Sequence, residues 1–142
     1  HVLVAPPFDI GDTSRGKRLV ANISGGAFEG DRLKGTICES GADWIVVDND
    51  NIGHIDVRIV LKTDDDAHIY AHYTGFLEYN DTFVNAALSG GETQVGDSYF
   101  MNQIRFETGA AKYKWLNKVL AVGEGRVYPG GIWYRVFEQT HD

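Results

Sequence analysis

From Ile55 to Leu61 the apolar side chains fall on every second position, Ile55, Val57, Ile59 and Leu61, while Asp56, Arg58 and Lys62 belong to the opposite set. Successive strand residues point to opposite faces, so this period of two predicts an antiparallel strand with one buried face. The next segment, "AHIYAHYTGFLEY" (67 to 79), alternates less cleanly, setting Ile69, Ala71 and Tyr73 against His68, Tyr70, His72 and Thr74. Both sides carry aromatic or amphipathic groups, as in a barrel strand with one side on a core or neighbouring sheet and the other on a semi-polar lumen. Further β-type segments are read at 18 to 23, 26 to 30, 33 to 39, 42 to 48, 52 to 63, 98 to 107, 117 to 128 and 132 to 139. Connections between them are mostly short, as hairpins require. Only "DTFVNAALSGG" reads as a helix, with Asp81 or Thr82 as its cap, Phe83, Ala87 and Leu88 on one side, and Gly90 and Gly91 closing it.

These elements predict one all-β domain over residues 1–142: a closed or nearly closed antiparallel β-barrel with one short helix. Composition sharpens that picture. Glycine supplies 17 of the 142 residues and punctuates the strands. A chain of this length buries a core of its own, and no repeat, low-complexity tract or linker divides it. The formal charge of −7 repels nucleic acid and anionic membrane, so neither is expected as a partner. The single cysteine, Cys38 in "LKGTIC", reads as a small strand residue and can form no internal disulfide. No apolar run approaches the roughly 20 residues of a spanning helix, and "HVLVAPPF" lacks the basic flank of a signal peptide, so a cytoplasmic protein is expected.

Several candidate chemistries fail on spacing. His68 and His72 lie four apart, which on a strand separates them by roughly 13 Å and forbids a shared metal ion; no metal site is expected. Asp64, Asp65 and Asp66 lack the alternate-position ligands and Gly of a calcium loop and read as a hairpin turn. "SGGAFEG" has neither Lys nor a following helix, so it marks a bend or bulge rather than a phosphate cradle. The aromatic set is rich, with seven Tyr, seven Phe and three Trp, and suits a cavity that sandwiches a planar ligand. Acid–base candidates are Asp43 beside Trp44, Asp56 with Arg58, and Arg105 with Glu107, with Tyr70 and Tyr99 beside them. A carboxylate against apolar walls works as a base near neutral pH, and Arg or Tyr holds an oxyanion.

The stretch "RFETGAAKYKWLN" (105 to 117) alternates Arg105 and Glu107 around Phe106 before a Gly turn. The sequence therefore predicts Arg105 and Glu107 at a barrel mouth, with Tyr113 and Trp115 packing back over it. In order along the chain, "GGAFEGDRLKG", "GADW", "IDVRIVLKTDDDAHI", "SYFMNQIRFETGAAKYKWLN" and "WYRVFE" closely resemble the family catalogued as domain of unknown function 3237, from about Phe8 to Glu138. The resemblance implies a small single-domain antiparallel β-barrel, found mainly in bacteria and fungi, with no bound cofactor. Some relatives accompany pathways for aromatic polyketides and other phenolic compounds, where cofactor-free ring closure or conjugate addition/elimination is the chemistry implied. The positions of this chain that match family motifs are Asp43 and Trp44, Asp56 and Arg58, Tyr99, and Arg105 and Glu107. The hairpin departs from the family pattern, since Asp66 stands where a Gly is usual, and a non-Gly residue tolerates positive φ poorly.

Two readings follow from the sequence. One is a cofactor-independent lyase or isomerase/cyclase on a small aromatic, phenolic or polyketide-like substrate. In it Asp56 or Glu107, with Asp43 as a further carboxylate, moves a proton, Arg58 or Arg105 holds the oxyanion, and Trp44, Tyr70 and Tyr99 contact the ring. The other is a barrel that carries or senses an apolar small molecule without changing it. Pairing of copies through a sheet face, a homo-oligomer, is compatible with either.

Overall fold

The alternating segments fold as antiparallel strands of a single sheet that closes on itself. The computed structural model describes residues 1–141. In chain order the elements are β1 (Val2–Val4), β2 (Phe8–Thr13), β3 (Gly16–Glu29), β4 (Lys34–Ile37), β5 (Ala42–Asp43), β6 (Val46–Val47), β7 (Ile52–Thr63), β8 (His68–Glu78), α1 (Asp81–Ser89), β9 (Phe100–Glu107), a 3-10 helix (Ala111–Lys118), β10 (Leu120–Tyr128) and β11 (Gly131–Glu138). Neighbours run β1-β11-β10-β9-β8-β7-β4-β3-β2, and β1 also pairs with β3, which closes the ring. Short strands share positions in it: β4, β5 and β6 each lie between β3 and β7, and β1 and β2 both pair along β3 as one broken strand. Counted that way, the protein is a closed eight-stranded antiparallel barrel.

The breaks in these composite strands have local causes. Pro6 and Pro7 lack an N–H and separate β1 from β2, which the sequence pattern did not reveal. Gly41 (φ +73°) separates β4 from β5, and a Cβ there would stand 1.8 Å from the Arg58 carbonyl oxygen. The glycines of "SGGAF" mark a register shift where β3 meets β1, as the sequence predicted. The helix is capped by Asn80, whose side chain accepts from the Phe83 N–H, rather than by Asp81 or Thr82. Of its expected apolar side only Phe83 packs on the core, and Leu88 is 82% exposed. The 3-10 helix is an addition to the one helix expected. It holds Tyr113 buried and Trp115 against the core, folded back over the barrel end as anticipated.

In a single-layer barrel the lumen is the core. Ile55, Val57, Ile59 and Leu61 of β7 and Ile69, Ala71, Tyr73 and Leu77 of β8 all point inward. The face of β8 read as lumenal, with His68, Tyr70, His72 and Thr74, is the outer surface instead. The barrel floor is filled by Leu19, Ile45, Ile55, Leu77 and Phe100. Phe83 of α1 meets Phe100 edge-on with ring centroids 5.9 Å apart. The Asp-rich hairpin is tied down at the other end, where Asp65 accepts from Thr63 Oγ1 (2.6 Å), Tyr113 Oη (2.7 Å) and Lys112 Nζ (2.9 Å). These bonds hold its carboxyl well below the usual carboxylate range.

Candidate functional site

Inward positions are occupied by large side chains near α1, but β10 offers only Ala121, Gly123 and Gly125 before Val127. Small residues on one strand leave the lumen unfilled, and a cavity of about 780 Å³ occupies the barrel. Ile37, Ile59, Leu61, Ile104 and Phe106 give it apolar walls. Its deep end holds three polar side chains: Tyr73 from β8, Asn102 from β9 and Tyr134 from β11. Its outer end is bordered by residues 29–33, Trp115 and Glu138. There Arg32 lies 3.7 Å over the Trp115 ring and bonds Glu138 at 2.6 Å, joining the β3–β4 loop, the 3-10 helix and β11 across the mouth.

The two phenols at the deep end are electrostatically connected to each other and to Asp43. The rings of Tyr73 and Tyr134 meet edge-to-face at 5.5 Å, and Tyr134 meets Phe100 at 5.6 Å. Burial raises both phenols, and the carboxylate of Asp43 raises each further. Asp43 sits on β5 opposite Val57 of β7 and Ala21 of β3, two inward-facing residues, so it shares their face. Desolvation lifts its carboxyl from 3.8 to about 7, against the lowering effect of the Asp56 backbone N–H. That N–H lies 3.4 Å from Asp43 Oδ1. Asp43 is not part of the cavity wall, but it lies close enough for its charge to raise Tyr73 and Tyr134, which are. A carboxyl raised to about 7 close to two phenols is equipped to hold or move a proton near neutral pH.

Of the residues singled out from sequence, the structure brings only Asp43 to this interior cluster. Asp56 bonds His72 at 2.9 Å on the outer face, and Arg58 lies over the Trp44 ring at 5.6 Å, also outside. Arg105 and Glu107 alternate with the inward Ile104 and Phe106 and stand opposite His72 and Tyr70 on the neighbouring strand. Their expected position facing the barrel mouth is therefore corrected: both are exposed on the outside, Arg105 beside a shallow dent of about 180 Å³ with His72, Thr74, Gln103 and Leu120. Tyr99 is 59% exposed and Tyr70 39%, and neither borders the cavity. The sequence reading passed over Tyr73, Asn102 and Tyr134. Their signal was a polar group inside an apolar register: Tyr73 between Ala71 and Gly75, Asn102 between Phe100 and Ile104, Tyr134 between Ile132 and Val136. Among the described residues, no three His, Cys, Asp or Glu side chains converge as a metal set, and no helix is long and apolar enough to cross a membrane.

Comparison with known proteins agrees with this architecture. The model of the family described as "Protein of unknown function (DUF3237)" matches residues 1–139. An uncharacterised UPF0311 protein of Clostridium acetobutylicum is 30% identical over 116 residues, which are 81% of this chain and 73% of that protein. Among solved structures, a β-barrel-like protein of Acinetobacter baumannii is 36% identical, with a TM-score of 0.81 over 96% of this chain and 90% of its own. A structure of an enzyme from Penicillium herquei superimposes with a TM-score of 0.68 at 16% identity, covering 96% of this chain and 87% of that one, a likeness of fold alone.

Proposed function

Because this chain belongs to the DUF3237 family and shares a barrel with solved relatives, we propose that it is a cofactor-independent lyase or isomerase/cyclase acting on a planar phenolic or polyketide-like molecule held in the lumen. The observation that carries the proposal is the polar cluster at the deep end of an otherwise apolar cavity, with the carboxyl of Asp43 close to it. Apolar walls favour a ring system, while the phenol of Tyr134, in the cavity lining, can donate to an oxygen on which negative charge develops. Enolate formation removes a proton from the carbon next to a carbonyl. In this reading the proton passes by way of Tyr73 to Asp43 and is returned to another carbon in an isomerisation, to the new alkoxide in a ring closure of the enolate onto a carbonyl, or to the departing group when a β-substituent is lost. Donors of this kind are each worth about 3 kcal/mol of barrier in related chemistry.

A second reading, a carrier or sensor that leaves its ligand unchanged, is favoured by one observation: Asp43 does not border the cavity. The discriminating experiment is native mass spectrometry of protein gently purified from its own host, followed by prolonged incubation of any co-purifying small molecule. Conversion to a product of equal mass, or cleavage, is expected from the native protein. Loss of conversion is expected in Asp43→Asn and Tyr73→Phe, with the ligand still bound. A ligand recovered unaltered establishes the carrier, and a lumen that takes up no aromatic ligand overturns both readings.

A further inference from the structure

Asn102 is 4% exposed and borders the cavity, yet neither its Nδ2 nor its Oδ1 has a hydrogen-bond partner. An unpaired buried amide is costly, and such groups are few in folded proteins. The sheet provides no remedy. The residues directly opposite Asn102 are Gly75 on β8 and Gly123 on β10, so neither partner position offers the amide a side chain. Both glycines are also required for its fit. A Cβ at Gly75 would stand 2.7 Å from Asn102 Cβ, and one at Gly123 would stand 2.4 Å from Oδ1. Its inward neighbours along β9, Phe100 and Ile104, are apolar and have nothing to offer it.

We propose that Asn102 is the specificity-determining residue of the cavity, selecting a planar ligand that carries a hydrogen-bond donor and an acceptor side by side on one edge, as in a cyclic amide or a hydroxy-enone. This rests on the reading that the lumen takes a planar ring, and narrows it to a substrate class. A carboxamide offers N–H and C=O from one end whichever way it is turned, so only a ligand with the complementary pair satisfies both atoms. A site with buried polar groups rejects an analogue lacking one partner far more strongly than an apolar pocket rejects a change of shape. The apolar walls supply affinity for the ring, and the amide decides which ring is kept.

The test uses two isosteric bicyclic probes, 2-quinolone, which has N–H beside C=O, and coumarin, in which a ring oxygen replaces the N–H. Titration calorimetry is run on the wild-type protein and on Asn102→Leu, with thermal unfolding to verify that the variant is folded. The expected result is that wild type binds 2-quinolone at least about tenfold more tightly than coumarin, and that Asn102→Leu binds both alike. In 15N-labelled wild type, the Asn102 side-chain amide resonances move with 2-quinolone and stay in place with coumarin, a readout that survives if the variant fails to fold. Equal binding of the two probes by wild type, with unmoved amide resonances, overturns the role of Asn102 and leaves the lumenal site standing. Binding of neither probe overturns the lumenal reading itself and this inference with it.

Discussion

Replacing Asp43 by Asn should stabilise the protein at pH 8 and leave its stability almost unchanged at pH 4. The carboxyl is held at about 7 in the folded state against an ordinary 3.8, chiefly by desolvation. At about 1.4 kcal/mol per pH unit, that gap corresponds to about 4 kcal/mol. Well below pH 3.8 the group is protonated both folded and unfolded and contributes no penalty, and at pH 4 only about 0.6 kcal/mol of it is present. As pH rises from 4 to 7 the unfolded chain releases this proton first, so stability falls, and above 7 the full penalty persists. The Asn side chain has the same shape, keeps an oxygen toward the Asp56 N–H and never ionises. Urea denaturation of wild type and variant at pH 4, 6 and 8 measures the difference, in which the titration of groups common to both proteins largely cancels. A variant advantage of about 2–4 kcal/mol at pH 8 that shrinks to well under about 1 kcal/mol at pH 4 is expected. The same offset at every pH, or a variant less stable at pH 8, would refute the reasoning. If the proposed acid–base reaction holds, its rate should rise through pH 7 as Asp43 ionises and be lost in the variant.

The other predictions concern the walls, the turn and the mouth. Gly75→Ala should cost about 1–3 kcal/mol, because its Cβ would stand 2.1 Å from the Met101 carbonyl oxygen, and a denaturation midpoint equal to wild type would show that the sheet yields there. Asp66 holds φ +68° in the Asp-rich hairpin, so Asp66→Gly should raise stability by about 1 kcal/mol or less, and a lowered thermal midpoint would show that its Lys62 pair (3.4 Å) outweighs the strain. Arg32→Ala removes a stacking contact and an ion pair across the mouth, together about 1–2 kcal/mol at an exposed site. Stopped-flow exchange of 2-quinolone should accelerate by about tenfold, and an unchanged rate would mean that ligands enter elsewhere.

Alternation along the chain determined a great deal by itself. The period of two in β7 and β8, the glycine punctuation and the short connections specified antiparallel strands in one domain, and the inward set Ile55, Val57, Ile59, Leu61, Ile69, Ala71 and Tyr73 is the set the pattern separates. Local chemistry was legible too, as in the bulge at the glycines of β3 and the return of Tyr113 and Trp115 over the barrel end. What the pattern lacked was the sign of each face. A period of two separates two sets of side chains without saying which encloses a cavity, and the aromatic and amphipathic groups on both sides of β8 suit a semi-polar lumen as well as an outer surface. Only closure of the sheet decided that the apolar set lines the lumen, placing Asp56, Arg58, Arg105 and Glu107 outside. Closure also brings Asp43, Tyr73, Asn102 and Tyr134 together from four strands distant in sequence. The void itself depends on Ala121, Gly123 and Gly125 standing opposite larger residues across the barrel, and that volume exists only once the ring has closed.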